Sequence, residues 1–135
     1  MRSTVTIRRR LQGMIEQKRR DMKLRTKRFA LAVIRLYSSL PKSTIAQVLG
    51  KQALRAATSV GAHYREACRA KSSADFVSKI EGGLQELEET GYWLELLQDA
   101  EVAHADQIKP LAGETNALLS IIVSVVKSVK FPGRA

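Results

Sequence analysis

The stretch PLAGETNALLSIIVSVVKSVK, residues 110–130, poses helix against strand most sharply. Its composition favours a strand, because Ile121, Ile122, Val123, Val125 and Val126 are β-branched. Its spacing favours a helix. Leu111, Thr115, Leu118, Ile122, Val125 and Val129 recur at steps of four and three residues, the a/d repeat of a bundle helix. The sustained repeat outweighs the composition. A helix is expected, with Pro110 in its first turn and Phe131-Pro132-Gly133 at its end. Leu119, Val123 and Val126 lie beside the stripe, so the apolar arc is wide enough for burial from two directions. One direction is the bundle core. The other is read as a subunit contact through Leu119, Val123 and Val126, against the alternative of a single wide core.

Upstream, the same period recurs three times. In residues 27–40, Phe29, Val33, Leu36 and Leu40 repeat at 4-3-4 spacing, and Pro41 stops the helix. Leu11, Ile15 and Met22 continue that stripe towards the start, but Lys18 and Arg25 fall on it, so an upstream helix would lack a clean apolar face. Residues 44–70 open with Thr44-Ile45-Ala46-Gln47, read as a capping box. They continue through a stretch rich in Ala, Ser and Gly that lets neighbouring helices approach closely. Gly50 and Gly61 each cost a helix roughly 1 kcal/mol against Ala, which packing must offset. A third helix opens at Ser72 with Asp75 as its cap partner and runs to about Leu97 on the stripe Phe76, Ile80, Leu84, Leu87, Leu94 and Leu97. Glu81, Glu88 and Glu95 repeat every seven residues on its outer face, either solvated or facing basic residues of a neighbouring subunit. Residues 99–109 read as a turn. Gly82-Gly83 reads as a close-packing site. The expected organisation is a basic arm (1–27), an all-α antiparallel up-and-down four-helix bundle (28–131) and a short tail (132–135).

The 135 residues suffice for one core and not for two. The formal charge is +10 and is unevenly placed. Residues 1–30 hold eleven basic residues against two acidic ones, Glu16 and Asp21, whereas residues 31–135 hold twelve against eleven. A basic arm beside a near-neutral body is the pattern of electrostatic contact with nucleic acid or another polyanion. The competing readings are an inert solvated extension and a targeting segment, and Met14 and Met22 are alternative starts. A secretory signal fits badly, because Arg35 breaks the apolar run 29–34 and no small-residue cleavage site follows. One cysteine excludes an intramolecular disulfide framework. The longest uncharged run, residues 115–126, is short of the ~20 a membrane helix needs. A cytoplasmic protein with no membrane partner is expected.

Catalytic and metal chemistry lack their residue sets. Glu101-Val102-Ala103-His104 matches one half of a di-metal carboxylate site, but His63, the only other histidine, has Val60 at the matching position. Cys68 and His63 sit about 140° apart around one helix, too divergent for a thiolate and its base. No phosphate-cradling or dinucleotide-binding glycine motif is present. No cofactor, metal site or catalytic residue is expected, and the protein is read as non-enzymatic. The cationic residues make the stronger constellation. Arg8, Arg9, Arg10, Lys18, Arg19, Arg20, Arg25, Lys27 and Arg28 populate the arm and its junction. Arg55, Arg65, Arg69 and Lys71 populate the second helix and its end. Arginine binds phosphate bidentately, and nothing here reads bases, so sequence-tolerant contact with RNA or DNA backbone is expected.

Residues 63–76, HYREACRAKSSADF, together with residues 52–60, Glu86-Leu87-Glu88-Glu89-Thr90 and Tyr92-Trp93-Leu94-Glu95-Leu96-Leu97, resemble the four-helix proteins typified by the 23S rRNA intervening-sequence proteins. The resemblance covers about residues 28–130. It implies an up-and-down bundle assembled as a homopentamer, with no established catalytic residues. Tyr64, Arg65, Cys68, Arg69, Ala74, Phe76, Tyr92 and Trp93 match its pattern as structural or surface positions. A related branch comprises the accessory variability proteins of diversity-generating retroelements, basic pentamers that bind nucleic acid and a reverse transcriptase. That branch implies an alternative role as a protein-interaction scaffold or accessory subunit. The chain departs from the pattern at His63, where Asn is usual, and in its Arg-rich beginning.

Overall fold

A computed structural model of the chain describes residues 3–133, and these form four helices: α1 (Thr4–Ser39), α2 (Thr44–Cys68), α3 (Ser73–Asp99) and α4 (Ala105–Lys130). The pairings between helices run in opposite senses. Gly50 meets Tyr37 and Leu40, and Gly61 meets Thr26, so α2 descends as α1 rises. Arg55 reaches Glu89 while His63 covers Gly82, which sets α3 against α2. Gly91 faces Thr115, and Glu81 binds Lys130, which reverses α4 again. The result is an antiparallel up-and-down bundle, with α4 returning beside α1.

Small residues set its dimensions. The buried face of α2 is Ala46, Gly50, Ala53, Ala56, Ala57, Val60, Tyr64 and Ala67. A Cβ at Gly50 would lie 2.7 Å from Leu40 Cδ1 and 2.9 Å from the Tyr37 ring, and one at Gly82 would lie 3.0 Å from the His63 ring. These glycines offset their helical cost by admitting a neighbouring side chain into the space a methyl would fill. Phe29, Val33, Leu36, Ile80, Leu87, Leu94, Leu97, Leu118 and Ile122 supply the bulk of the core. Three threonines are fully buried, and each donates its hydroxyl to the carbonyl four residues back: Thr26 to Met22, Thr90 to Glu86 and Thr115 to Leu111. No buried hydroxyl among them is left unsatisfied.

Three boundaries and one buried stripe differ from the sequence reading. Helix α1 begins at Thr4, not near residue 27, so arm and bundle share one uninterrupted helix. Ser43, not Thr44, caps α2 by accepting from the Ala46 N–H, while Gln47 turns away to accept from the Tyr37 hydroxyl. Helix α4 begins at Ala105, and Pro110 sits inside it. Pro110 has no N–H to offer the Asp106 carbonyl, and Asp106 is an exposed residue in the first turn of the helix. Gln107 fastens that start by accepting from the His104 N–H. Finally, the buried stripe of α4 is Ile108, Leu111, Thr115, Leu118, Ile122 and Val126, so its last step goes to Val126, not Val125. A straight helix drifts from a strict seven-residue repeat, and the drift has accumulated by that turn. An 18-residue window of α4 has a mean hydropathy of 1.3, long and apolar enough by composition to cross a membrane. In this fold the helix lays its stripe on α3.

The α3–α4 turn stores strain at one position. Glu101 has φ +60°. The Val102 N–H reaches the Leu97 carbonyl and the Glu101 N–H reaches that of Gln98, the bond pattern of a Schellman cap with Glu where Gly is preferred. Glu101→Gly should therefore raise the unfolding free energy by about 1 kcal/mol in urea denaturation. Leu118→Ala, emptying a site of 0% exposure, should lower it by about 2–5 kcal/mol.

Candidate nucleic-acid interface

The end of the bundle built from the C-termini of α2 and α4 and the start of α3 is where α1 passes out into solvent. Arg19 marks the crossing. Its guanidinium lies 5.9 Å from the centre of the Phe76 ring, a cation–π contact. Arg19 also lines a cleft of about 310 Å³ with Lys71, Ser72, Ser73, Phe76 and Val129. Ser72 caps α3 there, accepting from the Asp75 N–H. The positive end of the α3 dipole thus opens between two cationic side chains, an arrangement that favours an anion. Burial pushes the phenol of neighbouring Tyr64 well above its usual value, Cys68 adds to the rise and Arg19 opposes it. That hydroxyl therefore stays protonated and neutral beside the cations.

The thirteen cationic residues picked out by sequence divide into two groups. Eleven form no ion pair among the described residues. Arg8, Arg9, Arg10, Lys18 and Arg20 are exposed on the part of α1 beyond the bundle, with Arg19 at the crossing. Lys27 and Arg28 are exposed further along α1, and Arg65, Arg69 and Lys71 are exposed at the end of α2. The other two are already engaged. Arg25 grips Glu114 through two bonds of 2.9 and 2.8 Å, and that carboxylate raises its pKa further. Arg55 reaches Glu86 at 3.2 Å and Glu89 at 3.4 Å. Both arginines act as inter-helix ties, with side chains 42% and 49% exposed. Their partners lie 31 to 89 residues away in sequence, and no local pattern announces them.

The proposed contact residues of α4 also divide. Val126 is buried within the chain itself, whereas Leu119 and Val123 are half-buried on its flank. Glu81 is held by Lys130 at 2.7 Å, while Glu88 and Glu95 remain exposed. Glu101 and His104 fall on either side of a turn, not on one helical face. Among the described residues, no group of three or more His, Cys, Asp or Glu is placed to hold a metal ion.

A basic, all-α bundle with small-residue seams is the class these features define. Residues 18–124 match the family described as 23S rRNA-intervening sequence protein, and the chain belongs to that family. A solved structure is similar in both sequence and fold: a protein of unknown function from the S23 ribosomal protein family of Bacteroides thetaiotaomicron VPI-5482. It is 35% identical, with a TM-score of 0.76, and the match covers 82% of this chain and 98% of that one. No curated protein matches the chain.

Proposed function

We propose that the protein is a non-enzymatic, cytoplasmic, oligomeric bundle that binds the phosphate backbone of RNA or DNA electrostatically. The observation that carries this reading is the placement of free charge. Within residues 4–20, six cations face one carboxylate, Glu16, on a helix that projects past the bundle. Carboxylates elsewhere tie Arg25, Arg55 and Lys130 into the body. The family description, which refers to an rRNA, agrees in kind with a polyanionic partner. Assembly into the pentamer implied by the resemblance would multiply the field of each +10 chain.

Filter binding to a generic structured RNA tests the reading. With about six phosphates engaged, affinity should fall roughly a thousandfold between about 50 and 200 mM salt. Replacing Arg8, Arg9 and Arg10 together by Ala should weaken binding and flatten the salt slope by about three. Arg25→Ala and Arg55→Ala should weaken binding less than the triple change, because each guanidinium is already paired with a carboxylate of the body. Undetectable binding at the lower salt would refute the proposal.

A further inference from the structure

The cleft where α1 leaves the bundle gathers more hydrogen-bond donors than the fold itself uses. On one side of it, residues 4–18 form an overhang of α1 that is exposed throughout. On the other, the first turn of α3 is only partly satisfied. The Ser72 hydroxyl accepts from the Asp75 N–H, and the Ser72 carbonyl accepts from the Phe76 N–H. The proton of the Ser72 hydroxyl is left to donate. The Ser73 N–H has no partner among the described residues, and Ser73 is exposed. Arg19 and Lys71 line the same cleft, and neither forms an ion pair among the described residues. Asp75, the acidic residue of that first turn, does not line it.

Beneath the cleft lies a feature independent of the helix end. Tyr64 is 6% exposed. Its hydroxyl sits beside Arg19 and Cys68, two of the residues that line the cleft. Among the described residues it has no oxygen or nitrogen partner, whereas the Tyr37 hydroxyl donates to Gln47 at 2.7 Å. The Cys68 thiol is a weak partner for it. The buried side-chain polar atoms sealed without a bond among the described residues are His63 Nδ1 and Trp93 Nε1. The Tyr64 oxygen is not one of these, so it opens to solvent, and its neighbours place that opening in the cleft. A buried hydroxyl left without a partner costs free energy. This one, held neutral, has a hydrogen to give to an anion.

We infer that the cleft binds the terminal phosphate monoester of a nucleic-acid strand. Resting on the backbone binding proposed above, this site adds recognition of a strand end. The donors that converge there are the Ser73 N–H, the Ser72 and Tyr64 hydroxyls, the Arg19 guanidinium and the Lys71 ammonium. A phosphate within a strand offers two free oxygens and one charge. A terminal monoester offers three oxygens and about −1.5 to −2 charges at neutral pH, a match for two cations. The volume of about 310 Å³ is at the lower end for small-molecule sites, room for one phosphate and its sugar and not for a duplex. The overhang and the exposed Arg65 and Arg69 remain for the phosphates that follow. These donors suit a 5′ or a 3′ phosphate equally, so both ends enter the test.

Filter binding of one single-stranded RNA in three forms tests it: 5′-phosphate, 3′-phosphate and hydroxyl at both ends. The full chain should bind at least one phosphorylated form about tenfold more tightly than the hydroxyl form at the same salt, the gain from one charge-assisted bond. Arg19→Gln/Lys71→Gln should bring that ratio close to one. Tyr64→Phe, which keeps the ring and removes only the hydroxyl, should lower the ratio with helical circular dichroism retained. Replacing Arg8, Arg9 and Arg10 by Ala should weaken all three forms alike and preserve the ratio, because that stretch serves the rest of the strand. Equal affinity for the three forms would overturn the inference and leave backbone binding standing. A ratio that survives Arg19→Gln/Lys71→Gln would overturn it as well, since the end would then be held elsewhere. Binding of none of the three at low salt would refute the proposed function and the end-binding site together.

Discussion

The fold depends on how closely α2 is approached from both sides. One helix packs against α1 on one flank and α3 on the other, and it does so with Ala46, Gly50, Ala53, Ala56, Ala57 and Ala67. Such side chains contribute little apolar area each. They allow short interaxial distances, and the bulk is supplied from opposite: Phe29, Tyr37 and Leu40 from α1, Ile80, Leu87 and Leu94 from α3. Any larger residue along this face would push two helices apart at once. The fourth helix is held mainly from one side, by α3, and this is why a groove remains between them and why Leu119 and Val123 stay half-buried.

Charge is partitioned along the same lines. Within the body, arginines and carboxylates join successive helices: Arg55 spans α2 to α3, and Arg25 spans α1 to α4. These pairs are partly exposed and contribute modestly to stability. Their larger consequence is to remove cations from the surface. Uncompensated charge then concentrates where no helix lies opposite, on the overhang and at the end of α2. The family match begins at residue 18, close to the point where α1 leaves the bundle. The match therefore covers the body and leaves residues 4–17 of the overhang outside it.

Much of this was legible without coordinates. Helix number, the stripes of α1 and α3, the Ser72 cap and the glycine seams all follow from period and side-chain size. The misreadings share a physical origin. Proline costs least at a helix start, yet exposed Asp106 leaves room for Pro110 one turn further in. Lys18 and Arg25 interrupt the upstream stripe, and residues 4–18, although helical, bury no face. Arg25 is in fact neutralised by Glu114, 89 residues away. Tertiary ion pairs of this kind leave no local trace in sequence, and they alone separate Arg25 and Arg55 from the cations that remain free.

Ultraviolet cross-linking of the full chain to RNA, followed by peptide mass spectrometry, tests the central claim most directly. The account places the cross-links in peptides from residues 4–20 and 65–71. Cross-links confined to the α3–α4 groove, residues 87–119, with none from residues 4–20, would contradict it.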